Sequence, residues 1–242
     1  MDTVKVQSKN AKMVAHRGLS GIERENTCPA FIAAGNRSYF GIETDVHVTK
    51  DGKFVVIHDD TTERVCLGLC NVDVEKSTYE NLKNIVIPDL DGSTHRQDIR
   101  IPLLKDYIKI CKKYDKKCVL ELKNDFEKND IERMIKEISE ESYLSGVIFI
   151  SFSFKNCVIL RELLPLAKIQ FLTGDKVDDK LIADLKAHSL DLDIYYKKLT
   201  KEVIDLLHEN SIEVNCWTCD EKEAAEALAD MGIDYITTNI LE

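Results

Sequence analysis

The sequence predicts an α/β fold, a TIM-type (β/α)8 barrel with a small insertion after its second strand. Three observations support this prediction. Short, apolar, β-rich runs recur eight times along the 242 residues. Segments with the amphipathic periodicity of helices lie between these runs. Successive runs are about 20–30 residues apart, the usual length of a βα repeat, except between the second run and the third.

The predicted strands are the eight apolar runs, and several of them are almost continuously apolar, which is typical of strands covered on both faces. They lie at 12–16, 40–48, 117–122, 146–150, 168–172, 191–196, 212–217 and 233–237. Helical patterns between them include 132–144, 154–164, 201–210 and 222–232. The last pattern ends at Gly232, where a helix C-cap is expected, and another helix is expected to begin near Pro102.

The long interval after the second run contains a predicted hairpin and an insertion. The segment 49–60 continues the strand, with Asp51 and Gly52 forming the turn. Loop-like sequence then follows, so we predict a single domain over 1–242 with an insertion at about 61–100. A doubly wound open sheet is the alternative fold. It would normally carry a glycine-rich phosphate loop after the first strand, and the sequence has none there.

Composition narrows the classes of function. The chain has 33 Lys and Arg against 43 Asp and Glu, a formal net charge of −10. This balance argues against a nucleic-acid partner, because affinity for a polyphosphate comes largely from clustered basic residues. No apolar run approaches the ~20 residues that span a bilayer, and the first twelve residues have no signal-like stretch. We therefore expect a cytoplasmic protein without stable membrane insertion.

The eight cysteines do not have the spacing of a zinc site. Cys216 and Cys219 form one CxxC pair, but a zinc ribbon needs a second pair, and Cys66 and Cys70 are separated by three residues. We expect the thiols to be reduced and to behave as small buried apolar residues.

Candidate functional residues lie where the predicted strands end, because the sites of such barrels lie at the C-terminal ends of the strands. Glu43 and Asp45 are two residues apart and so point to the same side of the sheet. The complete set of candidates is His16, Arg17, Glu43, Asp45, His58, Glu121, Lys123 and Trp217.

The acidic candidates indicate a metal site. Glu43, Asp45 and Glu121 would repel one another if buried together without a cation, and their pKa values would rise. Their oxygens suit one divalent cation, either Mg²⁺ or Ca²⁺. Arg17 and Lys123 beside them could contact a phosphate oxyanion or serve as salt-bridge partners.

The remaining candidates have two interpretations each. Either His16 or His58 alone would more often be structural, but their joint placement beside the carboxylates favours acid/base chemistry. Trp217 is either a packing residue or a wall that meets an apolar or cationic part of the substrate.

Several motifs together resemble the glycerophosphodiester phosphodiesterase family. They occur in the order and spacing of that family from about residue 13 to 238, and HRG, ENT, E-x-D and HD are the specific ones. They are AHRG (15–18), ENT (25–27), AFIAAG (30–35), GIETDVHVTKDGKFVVIHD (41–59), LELK (120–123), WT (217–218) and GIDYITT (232–238). The resemblance implies release of sn-glycerol 3-phosphate and an alcohol from a small glycerophosphodiester with the help of one divalent cation.

The resemblance also implies roles for matching positions. Glu43, Asp45 and Glu121 match the metal-binding carboxylates, and His16 and His58 match the acid/base pair. The implied reaction is attack of the glycerol 2-hydroxyl on phosphorus, followed by opening of a cyclic phosphate by water. His16 is assigned as the first base and His58 as the first acid, with the reverse order left open.

Other positions complete the implied site. Arg17 and Lys123 match the phosphate-contacting residues, and Glu25 and Asn26 of the ENT motif would support the site. Many family members have aspartate where this chain has Asn239. The insertion at 61–100 corresponds to one that shapes substrate access in the family.

Two alternative functions use the same barrel. A lysophospholipase D-type phosphodiesterase would need an apolar groove and membrane contact, and the chain shows no obvious basic amphipathic segment. A catalytically silent binding barrel would have little reason to keep HRG, E-x-D, HD and E-x-K together.

Overall fold

The computed structural model describes residues 2–242, and within them nine strands form one sheet that closes into a barrel. The strands are β1 (Lys12–Ala15), β2 (Gly41–Val48), β3 (Phe54–Val56), β4 (Lys117–Leu122), β5 (Val147–Ser151), β6 (Lys168–Thr173), β7 (Asp191–Tyr195), β8 (Val214–Trp217) and β9 (Tyr235–Thr238). All except β3 pair in parallel, and β1 closes the ring by pairing with both β9 and β2. The predicted (β/α)8 fold class is confirmed.

Each connection between neighbouring parallel strands of the ring contains at least one helix. The helices are α1 (Cys28–Gly35), α2 (Tyr79–Leu82), α3 (Leu104–Lys113), α4 (Lys128–Glu140), α5 (Phe154–Leu163), α6 (Asp179–Ala187), α7 (Lys201–Glu209) and α8 (Lys222–Asp230). Helix α4 ends four residues before the predicted 144, because Ser142 adopts a left-handed φ of 54° that cannot continue a helix. Helix α8 ends just before Gly232, as predicted.

The eighth parallel strand is followed by an extended segment. After β9, the backbone of Ile240 and Glu242 exchanges hydrogen bonds with Val4 and Val6 at 2.8–3.1 Å. Within residues 2–242 the pattern is therefore eight strands with seven helical crossovers, one helical unit fewer than the eight predicted.

The predicted hairpin is present. Strand β3 pairs antiparallel with β2, and the backbone amide of Thr49 donates to the Lys53 carbonyl at 2.9 Å across the turn. Gly52 has a φ of +72°, a conformation that glycine adopts without a steric penalty. The hairpin carries the residues that follow β3 to the C-terminal rim of the barrel.

The segment at 61–100 has a small apolar core of its own. Val65, Cys66, Val74 and Leu82 are buried there together with Ile57, which follows β3. Apart from the four-residue α2, the segment is irregular. It therefore packs on the hairpin and holds it from outside the ring.

The main core lies between the sheet and the surrounding helices. Cys111, Cys118, Cys157, Cys216 and Cys219 are buried within it, in agreement with the interpretation of the thiols as small apolar residues. A second, smaller cluster fills the barrel interior and includes Val14, Val119, Ile148, Leu172 and Tyr235. The interior is thus packed with side chains below the rim.

Among residues 2–242, no helix combines the length and the apolar character that a bilayer span requires.

Candidate active site

A cavity of about 200 Å³ opens at the C-terminal ends of the strands. It is the place where the sequence predicted that chemistry would lie. Six of the eight candidates line it, namely His16, Arg17, Glu43, His58, Glu121 and Trp217. The other two, Asp45 and Lys123, lie directly behind the lining, where they contact Arg17 and Glu121.

Strand register brings the three acidic candidates together. Asp45 of β2 lies beside Glu121 of β4, and Glu43 is two residues earlier on the same face of β2. One oxygen of each lies within 4.8 Å of the others, and all three residues are buried. Asp45 Oδ1 and Glu121 Oε1 are buried and accept no well-directed hydrogen bond among residues 2–242, although both face the ammonium group of Lys123. Three hard oxygen donors in this arrangement fit a divalent cation.

The three carboxyl groups differ in the direction in which their surroundings shift their pKa values. Burial, reinforced by neighbouring carboxyls, raises the pKa of Glu43 well above its usual range and that of Glu121 to about 8. Burial also opposes ionisation of Asp45, but Arg17 and Lys123 outweigh it and hold the pKa of this carboxyl well below its usual range. The expectation of raised pKa values is therefore right for the two glutamates and wrong for Asp45, because two cations face that residue.

The two basic candidates are paired with carboxylates. Lys123 Nζ lies 2.8 Å from Glu121 Oε1 and 3.5 Å from Asp45 Oδ1, and Arg17 Nε lies 3.5 Å from Asp45 Oδ2. Arg17 also donates to Glu25 Oε1 at 2.9 Å. The salt-bridge interpretation thus holds for both, and Arg17 in addition faces the cavity.

The backbone of the HRG motif is bent sharply around Glu43. Arg17 has a left-handed φ of 54°, and its amide donates to Glu43 Oε2 at 2.8 Å. Gly18 follows with a φ of +75°, and its amide donates to the Glu43 carbonyl at 3.2 Å. A Cβ on Gly18 would lie 2.7 Å from backbone and side-chain atoms of Ala30. The motif therefore holds both Arg17 and Glu43 in place.

Replacement Gly18→Ala is expected to destabilise the protein by about 2 kcal/mol or more, because the new Cβ meets the Ala30 backbone and φ is positive. Gly92→Ala is the matched control, since Gly92 has a φ of +82° with no atom within 4 Å of its added Cβ. It should cost only about 1 kcal/mol. Chemical denaturation of both variants measures the difference, and equal losses would contradict this account of the motif.

The ENT motif supports the carboxylate cluster. Asn26 Nδ2 donates to Asp45 Oδ2 at 2.8 Å, and its Oδ1 accepts from the Thr44 hydroxyl at 2.7 Å. Asn26 is 4% exposed, so both contacts are shielded from water. Thr27 caps α1 directly afterwards. The motif thus fixes Asp45 Oδ2, while Oδ1 faces Lys123 Nζ at 3.5 Å.

His16 is held by a chain of polar contacts from the end of β9. Its Nδ1 lies 2.8 Å from Asn239 Oδ1, and the Asn239 amide nitrogen donates to Asp220 Oδ2 at 2.6 Å. Because Asn239 Oδ1 only accepts, the His16 Nδ1 carries the hydrogen and Nε2 is the free acceptor. Nε2 lies 4.0 Å from Glu43 Oε2. Burial, aided by Arg17, lowers the pKa of His16 to about 4.

His58 is held by a residue of its own motif. Its Nδ1 lies 2.6 Å from Asp59 Oδ1, so the second nitrogen, Nε2, is the one available for chemistry. Burial lowers the pKa of His58, while Asp45 and Asp59 oppose this shift. The two histidines thus line the same cavity, each anchored through Nδ1.

Arg64 is a site residue that the sequence analysis did not predict. Its guanidinium makes two hydrogen bonds of 2.8 Å to Glu25 and bonds of 2.6 and 3.1 Å to Asp59. Burial opposes ionisation of Glu25, but Arg64 and Arg17 lower the pKa of this carboxyl to about 2. Arg64 lies in the insertion, five residues after Asp59 of the HD motif but outside the motif itself, so no local signal identifies it. Arg64 thus connects Asp59, which holds His58, to Glu25, which holds Arg17.

The cavity has an aromatic side. Trp217 packs edge-on against Phe152, with ring centroids 5.6 Å apart, and lies the same distance from Tyr195. Phe152 is 45% exposed although its ring forms part of the wall. Trp217 therefore packs against aromatic neighbours and also lines the cavity.

Asp193 is a second residue that the sequence analysis missed. It lies on β7, is 1% exposed and lines the cavity. The signal was present, since Asp193 is a carboxylate within the otherwise apolar stretch LDIYY. Asp193 lies two residues before the end of β7 and belongs to none of the motifs, so the focus on strand ends does not select it.

Comparison with known proteins gives consistent matches along the chain. Residues 16–242 match the Glycerophosphoryl diester phosphodiesterase family. A glycerophosphodiester phosphodiesterase of Caldanaerobacter subterraneus subsp. tengcongensis is 30% identical over 229 residues, which cover 94% of this chain and 93% of that protein. One from Bacillus altitudinis is 30% identical over 237 residues, with 94% of each chain covered.

A similar fold occurs in a solved structure. It is that of an Oleispira antarctica phosphodiesterase in complex with the product sn-glycerol-3-phosphate. The two chains superpose with a TM-score of 0.87 at 22% identity, covering 97% of this chain and 95% of the other. At this level of identity the likeness concerns the fold.

Proposed function

Because the chain belongs to the glycerophosphoryl diester phosphodiesterase family, we propose that it hydrolyses glycerophosphodiesters with one divalent cation and two histidines. The products would be sn-glycerol 3-phosphate and an alcohol. One observation carries the proposal: a buried cluster of three carboxylates and two anchored histidines line or adjoin one cavity. The membership itself makes the chain an enzyme, a phosphoric diester hydrolase.

Glu43, Asp45 and Glu121 are the residues that would hold the cation, either Mg²⁺ or Ca²⁺. When bound, such an ion neutralises phosphate oxygens and polarises the phosphorus centre. Asp45 Oδ1 and Glu121 Oε1 accept no well-directed hydrogen bond from the described residues, so both can still donate an electron pair to a cation. Lys123 balances part of the acidic charge through its contacts with the same two residues.

Arg17 would bind a non-bridging phosphate oxygen. Its guanidinium faces the cavity and is held by Glu25 and Asp45, so its direction is set before substrate arrives. A fixed charge of this kind stabilises the developing negative charge without reorganisation. Arg64 supports the arrangement by holding Glu25 from the other side.

The histidines would move protons on either side of phosphorus. His16 is neutral near pH 7, because burial lowers its pKa to about 4, and its free Nε2 can accept a proton from the attacking hydroxyl. His58 is held at Nδ1 by the Asp59 carboxylate, which leaves Nε2 to donate a proton to the leaving alcohol, and Asp45 and Asp59 oppose the lowering of its pKa by burial. The two residues would exchange these roles in the second step.

We also propose that residues 1–242 act as one catalytic domain. The insertion at 61–100 would shape access to the cavity, because Arg64 reaches from it to the partners of both Arg17 and His58. Trp217 would face the substrate from the opposite wall.

Product analysis tests the proposed function. Incubation with glycerophosphocholine and a divalent cation is expected to release glycerol 3-phosphate and free choline, each measured by a coupled enzymatic assay. Glycerophosphoethanolamine is expected to behave in the same way. Release of phosphocholine and glycerol would mean that the other phosphorus–oxygen bond is cleaved. Absence of any release with Mg²⁺ and with Ca²⁺ would refute the proposal.

A further inference from the structure

Asp193 has one carboxyl oxygen committed to the protein and one that has no partner. Its Oδ2 accepts from Asn215 Nδ2 at 3.2 Å. Its Oδ1 is buried and has no hydrogen-bond partner among residues 2–242. Leaving a buried polar atom unpaired is unfavourable, because the atom has lost its water without gaining another partner. Such a cost is typical of a group that a ligand completes.

The side chain that positions Asp193 is itself fixed. Asn215 Nδ2 also donates to Gln170 Oε1 at 3.1 Å, and Asn215 Oδ1 accepts from the Thr237 hydroxyl at 3.2 Å. All four residues are buried, with exposures of 2% or less. Asn215 is thus fixed by its hydrogen bonds to Gln170 and Thr237, and it holds the carboxyl group of Asp193 in one position beside the cavity.

Asp193 faces the carboxylate cluster across the barrel. In the closed ring of eight parallel strands, β7 is four strands away from β2 in either direction. Asp193 precedes the end of β7 by two residues, so it lies one layer deeper than Trp217 at the end of β8. The surrounding wall includes the apolar side chains of Ile150 and Leu172. Asp193 thus places a polar group at the floor of the cavity, among apolar side chains.

The chemistry of Asp193 suits a hydroxyl. No lysine, arginine or histidine nitrogen of the described residues lies within 4.0 Å of its carboxyl, so no charge balances an ionised form. In agreement with this, burial, with a contribution from Glu121, raises the pKa of Asp193 well above its usual range. A neutral carboxyl both donates and accepts hydrogen bonds, as a hydroxyl does.

We propose that Asp193 determines specificity by binding the terminal hydroxyl of the glycerol moiety. The inference rests on the proposed function, in which the phosphate lies at the carboxylate cluster and the 2-hydroxyl attacks phosphorus. The terminal hydroxyl is then the one group of the glycerol unit left to recognise. An acyl chain on the same oxygen would remove this hydroxyl and with it the hydrogen bond to Asp193. The site is thus built for deacylated glycerophosphodiesters.

A pair of substrates tests the inference. One is glycerophosphocholine, and the other is its analogue in which the terminal hydroxyl is replaced by hydrogen while the 2-hydroxyl is retained. The wild-type enzyme is expected to prefer the first by about 10- to 100-fold in kcat/KM, because the analogue leaves Asp193 unpaired. Asp193→Leu should reduce the preference to nearly 1. Asp193→Asn should keep most of it, because an amide still offers a donor and an acceptor.

Asp191→Leu is the matched control, since Asp191 lies on the same strand at the opposite end of the barrel and does not line the cavity. It should keep the wild-type preference. Binding of the products, glycerol 3-phosphate and its deoxy analogue, measured by calorimetry, should show the same loss of discrimination in Asp193→Leu. If that variant does not fold, Asp193→Ala replaces it with the same expectation.

Different outcomes would refute the inference on Asp193 and the proposed function. A folded Asp193→Leu or Asp193→Ala that retains the wild-type preference overturns the inference, and so does a wild-type enzyme that does not distinguish the two substrates. Efficient wild-type hydrolysis of a 1-acyl lysophosphatidylcholine also overturns it. A wild-type enzyme that hydrolyses no glycerophosphodiester refutes the proposed function instead.

Discussion

Replacement Glu43→Gln is expected to lower kcat/KM for glycerophosphocholine by about 1,000-fold or more. The amide keeps the volume of the side chain and can still accept from the Arg17 amide, but it removes one anionic ligand from the cluster of Glu43, Asp45 and Glu121. Losing the bound cation removes the main neutralisation of the phosphate, which is worth several kcal/mol in the transition state. Steady-state kinetics at saturating Mg²⁺ and Ca²⁺ measures the effect.

Removal of the cation by a chelator should abolish activity to the same extent, and addition of the preferred cation should restore it. Glu132→Gln is the control, because Glu132 is exposed on α4 and should behave as the wild type. Calorimetric titration of the metal-free protein gives a second readout, in which Glu43→Gln should lose the binding signal. Full activity of Glu43→Gln, or of the enzyme after complete chelation, would refute the metal site.

Removal of either histidine is expected to lower kcat by about 100- to 10,000-fold, the range that general acid/base catalysis contributes. The two losses should differ with the leaving group. His58→Ala should recover much of its activity on glycerol 4-nitrophenyl phosphate, because nitrophenolate leaves without a proton. His16→Ala should not recover, because a base is still required for the attacking hydroxyl. Parallel kinetics on choline and nitrophenol substrates measures this difference.

His95→Ala is the control for the histidine pair, since His95 is exposed in the insertion. It should retain wild-type activity with both leaving groups. Recovery of His16→Ala instead of His58→Ala would reverse the order of the two roles. Equal losses of both variants on both substrates would contradict a division into acid and base.

The sequence predicts the ring of strands well because its signal is local. Each strand is an apolar run, and each helix between runs has its own periodicity, so 168–172 and 154–164 are close to β6 and α5. The four-residue helix α2 was not predicted, because one turn is too short to show periodicity. The expected eighth helix is absent from residues 2–242, where an extended segment follows β9.

The site was predicted where motifs exist and missed where contacts alone define a role. Glu43 and Asp45 follow from the alternation of side chains along β2, and Glu121 follows from the order of the predicted strands. Both features can be read in a sequence. Arg64 meets Glu25 across 39 positions, and its surrounding sequence has no pattern that selects it. Asp193 needed the register of β7 against β8 to show that Asn215 binds only one of its oxygens.

The contact between His16 and Asn239 spans 223 positions and joins the first strand of the ring to the last. The entropic cost of joining two positions grows with the length of chain between them, so this contact depends on the intervening strands that close the ring. A chain that lacked β9 and the residues after it would still carry Glu43 and Asp45 on β2, but His16 would lack its Asn239 anchor. In the proposed mechanism, activity therefore requires the closed ring of strands, and a fragment containing half of the barrel would be inactive.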